Sequence, residues 1–126
     1  MKQKIIGTFY MGHTEVELVL REGDGGEFYA APERGKIPRI KVGADYKEWR
    51  KVVQVLLHEA MELVMEDMYL RYNCSKETAG DHASYMFMFN HSPQFTEICA
   101  RVGDFLTDAL PALATEWKKW KKRRTK

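Results

Sequence analysis

The first third of the chain contains short hydrophobic runs, and in one of them the hydrophobic residues recur at every second position, which is the spacing of a half-buried β-strand. In the segment 14–20, for example, Val16, Leu18 and Leu20 alternate with mostly polar neighbours. Met11-Gly12-His13 precedes this segment and predicts a tight hairpin turn. Strands are therefore predicted at 4–10, 14–20, 27–31 and 39–42, and the opening third is expected to form a small antiparallel sheet of three or four strands.

From Asp45 onward the hydrophobic spacing changes to three and four residues, which indicates amphipathic helices. A first helix is predicted from Tyr46 to Tyr72. A second is predicted to begin at Ser92-Pro93, a hydroxyl N-cap followed by proline, and to kink or end at Pro111. The apolar face of the first helix is expected to comprise Trp49, Val52, Val53, Leu56, Leu57, Ala60, Leu63, Val64 and Met68.

The run "SYMFMFNH" between the two predicted helices is dense in apolar residues and fits either a strand or a buried helical turn. Its alternating methionines and phenylalanines are expected to belong to the core. Strands followed by helices favour an α+β fold over a βαβ arrangement. We therefore expect a three- or four-stranded antiparallel sheet packed on two main helices.

Length and composition agree with one globular domain. The chain has 126 residues, of which 44% are hydrophobic and 30% charged, so extensive disorder is not expected. The sequence has no apolar run near the roughly 20 residues of a bilayer-spanning helix, and its start lacks the apolar core of a signal peptide. Cys74 and Cys99 form no CxxC pair, and Cys99 is interpreted as a small core residue. A cytoplasmic protein is expected.

The net charge of +2 hides an uneven distribution, because seven of the 20 basic residues follow Trp117. The remaining 13 basic residues face 18 acidic ones, so the body is acidic and its appendage basic. We predict one domain at 1–117 and a basic tail at 118–126. The tail fits weak contact with nucleic acid or an anionic membrane surface. Alternatively, Trp117 and Trp120 cap the core and the tail is a solvated helix end.

The segment "LLHEAMEL" in the first predicted helix carries the residues best suited to metal chemistry. His58 and Glu62 are four apart, so both side chains lie on one side of the helix and can converge on a metal ion. Glu59 projects about 100° away and can act as a general base beside the metal. The zinc-peptidase motif is HExxH; here the second histidine position holds Glu62, and carboxylate is also a zinc ligand.

A catalytic zinc takes three protein ligands and keeps one open position. Candidates for the third ligand are His82 and His91, which follow the first helix, and Glu97 on the second. Structural roles are the alternatives: His58 as a buried core histidine, the acidic residues of the first helix as a solvated face, and His82 and His91 as loop and cap residues.

The order of strands, a helix with "LLHEAMEL", a short connector and a second helix opening at "SPQFTEICARVGDFL" resembles the small zincin-like proteins of phage and prophage genomes. The usual helix in those proteins reads LLHExxH. The resemblance covers nearly the whole chain in layout and is specific around residues 55–63. It implies that His58 is a zinc ligand, that Glu59 is the general base and that position 62 is the second ligand.

By this resemblance the protein is a zinc-dependent peptidase or hydrolase acting in the host cytoplasm on a peptide or protein substrate. Glu62 departs from the family pattern, and a second ligating carboxylate weakens the Lewis acidity of the metal. The alternative is therefore a non-catalytic zincin-like module that serves as a phage structural or host-interaction protein.

Overall fold

The computed structural model describes residues 2–30, 35–73 and 85–124. A single helical turn, His91–Phe95, leads directly into the second helix. The strands and helices of this part of the chain are, in order, β1 (Gln3–Met11), β2 (Thr14–Arg21), β3 (Gly26–Tyr29), β4 (Arg39–Gly43), α1 (Trp49–Asp67), β5 (Arg71–Asn73), β6 (Tyr85–Phe87) and α2 (Thr96–Arg124).

The first four strands form one sheet in the order β1-β2-β4-β3. β1 and β2 are antiparallel and meet at Met11 and Thr14, which confirms the predicted hairpin. β4 lies between β2 and β3 and runs parallel to β2. The expectation of a purely antiparallel sheet is therefore wrong at this pair, and the sheet is mixed.

β2 and β4 can be parallel neighbours because the turn after β2 crosses the end of β4. The chain then continues into β3 on the far side of β4, and β3 forms the outer edge of the sheet. Gly43 ends β4 directly beneath this turn and donates its N–H to the carbonyl oxygen of Gly25 at 2.7 Å. A Cβ at Gly43 would lie 2.4 Å from the carbonyl oxygen of Gly23. Only glycine therefore permits the close crossing that places β3 beside β4.

Both helices pack on the face of the sheet that carries the alternating apolar residues. α1 contacts β3 and β4, α2 contacts β1 and β2, and the helices contact each other. The four-stranded sheet and the two helices confirm the α+β class. The central buried residues are Val16, Leu18, Leu20, Ile40, Val42, Val52, Leu56, Ala60, Ile98, Val102, Phe105, Ala109 and Leu113.

α1 is shorter than predicted, because it ends at Asp67 rather than at Tyr72. Tyr69 adopts a φ of 61°, a left-handed conformation that terminates a right-handed helix. Leu70 then turns into the core, and Arg71 starts β5. Leu57, which the spacing placed on the apolar face, is exposed.

The start of the second helical segment also differs from the prediction, since Asn90 and not Ser92 caps the turn His91–Phe95 that leads into α2. Asn90 Oδ1 accepts a hydrogen bond from the backbone N–H of Gln94 at 3.0 Å, and Gln94 Oε1 accepts one from the N–H of Asn90 at 2.8 Å. Ser92 is extended. Pro111 lies inside α2 without ending it, so residues 118–124 of the predicted tail are the last turns of this helix. Neither α1 nor α2, the helices of the described ranges, has both the length and the apolar character of a membrane span.

Two predictions about core residues are wrong. Of the alternating methionines and phenylalanines, Met86, Met88 and Phe89 are exposed, and Phe87 is partly buried against the core. Met86 and Phe87 lie in the ribbon of β5 and β6, in which successive side chains point to opposite faces. Cys99 is exposed as well, since Ile98 and Val102 are the core-facing residues of that turn and position 99 points about 100° away from Ile98. Cys74 lies outside the described residues.

Candidate metal centre

His58 and Glu62 lie one turn apart on α1, and their side chains meet in a cavity beside β3. His58 Nε2 is 3.3 Å from Glu62 Oε1. Two ligands on a tetrahedral zinc ion, each bound at about 2.0–2.1 Å, are about 3.3 Å apart. The histidine side chain is 65% exposed, so His58 is not a core histidine. The two donor atoms therefore have the separation that a shared zinc ion requires.

Glu59 is buried, with 7% of its surface exposed, although the adjacent His58 is exposed. The close approach of β3 to α1 buries it. A Cβ on Gly26 would lie 2.7 Å from Val55 Cγ1 and 3.1 Å from Glu59 Cγ, so the glycine provides the space in which the helix packs. Glu59 is thus not part of a solvated acidic face.

The cavity that contains these residues has a volume of about 580 Å³. Its walls come from α1, from the edge strand β3 and from the ribbon of β5 and β6. An adjoining cavity of about 440 Å³ shares Gly26, His58 and Glu59 with it. The larger cavity is lined by Gly26, Glu27, Phe28, Ala30, His58, Glu59, Glu62, Glu66, Arg71 and Tyr85.

Arg71 is the cavity residue that sequence reasoning missed. Its NH1 lies 3.2 Å from Glu66 Oε2, and its Cζ lies 3.9 Å from the centre of the Tyr85 ring and 5.5 Å from that of Phe28. The ion pair and the two aromatic rings hold the guanidinium in place. Position 71 was expected to lie in the first helix, so the sequence offered no signal that the chain turns back there.

The cavity is acidic, because Glu59, Glu62 and Glu66 line it on the α1 side, and Arg71 pairs with Glu66. A further carboxylate, Glu27, is paired with Arg21 through two hydrogen bonds of 2.8 and 2.7 Å. The hydrogen bond to Glu27 raises the pKa of Arg21. An acidic cavity of this kind favours a cation over an anion as its ligand.

Two of the three candidates for a third ligand, His91 and Glu97, do not line this cavity. His91 lies in the helical turn before α2, with its ring 6.0 Å from that of Phe95. Glu97 accepts a hydrogen bond from Arg101 at 2.8 Å, and Arg101 also bonds Asp67. Glu97 is therefore linked through Arg101 to Asp67, which lies about 13 Å along α1 from His58.

His82 lies outside the described residues. Within residues 2–30, 35–73 and 85–124, no group of three or more histidine, cysteine, aspartate or glutamate side chains is arranged to hold a metal ion. The described part of the site thus contributes two potential ligand atoms, with a buried carboxylate beside them.

No protein-family model matches this chain, and neither the curated proteins nor the solved structures include a significant match. Function is therefore inferred from the residues of the cavity and from the resemblance of the α1 motif.

Proposed function

We propose that this protein is a zincin-like, zinc-binding protein and that it hydrolyses peptide bonds. The observation that carries the proposal is the 3.3 Å separation of His58 Nε2 and Glu62 Oε1 at the wall of an open cavity. Imidazole nitrogen and carboxylate oxygen are both ordinary zinc ligands. A third protein ligand, for which His82 remains a candidate, completes the set.

His58 and Glu62 would hold the zinc ion, which would supply a Lewis acid at this site. The chain supplies the proton acceptor. Glu59 follows His58 directly, lines the same cavity and is shielded from bulk water, so its carboxylate can accept a proton as water attacks the scissile carbonyl. The product amine then receives that proton. Arg71 offsets part of the negative charge that Glu59, Glu62 and Glu66 place in the cavity.

A second function, that of a non-catalytic phage structural or host-interaction module, is supported by the same pair. A nitrogen–oxygen distance of 3.3 Å also corresponds to a long hydrogen bond between His58 and Glu62. Such a bond satisfies both side chains without a metal, and the cavity would then bind a peptide or protein partner. Metal content separates this function from the first.

The experiment is a metal analysis of protein purified without chelator. We expect about one zinc ion per chain in the wild type and little in His58→Ala. His13→Ala is the matched control, because His13 is an exposed histidine in the turn between β1 and β2, and its substitution should leave the zinc content unchanged. A wild-type protein without stoichiometric zinc contradicts the proposal.

Catalysis is tested separately with Glu59→Gln, which keeps the size of the side chain but removes the base. The variant should retain zinc and lose hydrolysis of a quenched-fluorescence peptide library. Zinc binding with no hydrolysis that depends on Glu59 would favour the non-catalytic function.

A further inference from the structure

Two segments rich in basic residues meet where the end of α2 packs against the start of α1. We call this surface the basic face. On the α1 side, the basic face comprises basic residues just before the helix and in its first turn. On the α2 side, it comprises the basic residues of the last two turns of α2. Its members are Lys47, Arg50, Lys51, Lys118, Lys119, Lys121, Lys122, Arg123 and Arg124.

Direct contacts fix the two segments against each other. Lys121 Nζ donates to the carbonyl oxygens of Tyr46 and Lys47 at 3.3 and 3.1 Å. Arg124 donates to Asp45 Oδ1 at 2.9 Å. A groove of about 410 Å³ lies between the segments. The end of α2 is therefore docked on the body, and the basic face has a defined shape.

The positive charge of the basic face is larger than the favourable interaction of cations with the end of α2 explains. Segments 45–51 and 116–124 contain nine basic and three acidic residues, whereas the whole chain has a net charge of only +2. Cations in the last turn of α2 favour the helix dipole. Arg50 and Lys51, however, occupy the first turn of α1, where the dipole favours anions instead. Arg50 pairs with Glu48, Lys119 with Glu116 and Arg124 with Asp45. Nine basic and three acidic residues leave a net charge of +6 in the two segments, and this excess favours a negatively charged partner.

The burial of both tryptophans distinguishes between the two kinds of polyanion considered for this tail. Trp117 and Trp120 are only 7% and 3% exposed. Trp117 Nε1 donates to the carbonyl oxygen of Ala44 at 3.0 Å, and its ring lies 5.5 Å from that of Trp49. A helix that lies in a membrane interface inserts its apolar side chains into the lipid. Here those side chains are already packed in the protein core.

We propose that the basic face binds the phosphate backbone of nucleic acid without reading its sequence. Each phosphate that a lysine or arginine neutralises releases condensed counterions, so binding weakens as the salt concentration rises. Lys51 also lines the cavity of about 440 Å³ that contains His58 and Glu59, but the proposal does not depend on zinc binding.

The test measures binding of the full-length protein to a fluorescent mixed-sequence DNA duplex by anisotropy, from about 50 to 200 mM salt. Two double variants remove charge from each side of the face: Lys118→Gln/Lys122→Gln on α2 and Lys47→Gln/Lys51→Gln at α1. All four side chains are exposed, so the fold should tolerate both changes, which circular dichroism checks.

Each double variant should bind more weakly at the lowest salt concentration. It should also reduce the slope of log K against log salt by about 2, since each phosphate that a lysine no longer neutralises lowers the slope by about 0.9. The matched control is Lys36→Gln/Lys41→Gln, which removes the same charge from the loop before β4 and from β4 itself and should bind like the wild type.

The proposal is overturned if the wild type binds no duplex at the lowest salt concentration. It is also overturned if both double variants bind as the control does, or if the protein binds phosphatidylserine vesicles in place of DNA.

Discussion

Gly26→Ala tests how closely the edge strand β3 approaches α1 at Glu59. An added Cβ would lie 2.7 Å from Val55 Cγ1 and 3.0 Å from the carbonyl oxygen of Lys41. Neither neighbour yields easily, since the first belongs to a short branched side chain and the second to the backbone of β4. The strand and the helix must therefore move apart, and Glu59, whose Cγ would be 3.1 Å away, must shift with them.

The expected loss follows from the cost of overpacking a well-packed contact, about 1–3 kcal/mol. For a chain of 126 residues, an unfolding entropy of about 2.1 cal/mol/K per residue converts 1 kcal/mol into about 4 °C. Gly26→Ala should thus lower Tm by about 4–12 °C.

Gly103→Ala is the matched control, because Gly103 lies inside α2 and a Cβ there would meet nothing within 4 Å. The same substitution at this site should stabilise the protein by about 0.5–1 kcal/mol through helix propensity. Both variants are measured by thermal unfolding followed with circular dichroism. A Gly26→Ala protein as stable as the wild type, or one stabilised like Gly103→Ala, would refute the proposed close packing of β3 on α1.

Further predictions concern α2 and its contacts. Trp117→Phe loses the buried hydrogen bond to Ala44, whereas Trp120→Phe removes an indole N–H that has no partner among the described residues. In urea titrations, Trp117→Phe should therefore lower the free energy of unfolding by about 1–2 kcal/mol more than Trp120→Phe does. Equal losses in the two variants would contradict the hydrogen bond from Trp117 to Ala44. The hydrogen bond from Lys4 lowers the pKa of Glu116, so this carboxylate stabilises the fold above its unfolded pKa of about 4.3. Glu116→Gln should accordingly be less stable than the wild type by about 0.2–1 kcal/mol at neutral pH. This difference should vanish as the pH falls through the lowered pKa of Glu116. A stability difference that does not change with pH would contradict the ion pair with Lys4.

The periodic pattern of hydrophobic residues predicts the elements well where one face is buried. β2 and β4 were expected because Leu18, Leu20, Ile40 and Val42 each occupy a core-facing position, and the structure buries all four. The pattern carries no information about which strands are neighbours. That β4 pairs in parallel with β2 depends on the turn that crosses Gly43, a contact between distant parts of the sequence.

The candidate site, too, could be predicted from the sequence where contacts are local, and not where they join distant parts of the chain. That His58 and Glu62 meet follows from helix geometry alone, and the structure places their donor atoms 3.3 Å apart. The burial of Glu59 depends on Gly26, which lies far away in the sequence. Arg71 lies in the cavity because α1 ends at Asp67. The sequence did not predict this end, since the helical spacing of apolar residues continues beyond it.

The most direct test of zinc binding is anomalous diffraction at the zinc absorption edge from crystals soaked in zinc. We predict a peak within about 2.0–2.2 Å of both His58 Nε2 and a carboxylate oxygen of Glu62, and the same map will identify any third ligand. The proposal is contradicted if the site carries no peak and the two side chains remain in direct contact at 3.3 Å.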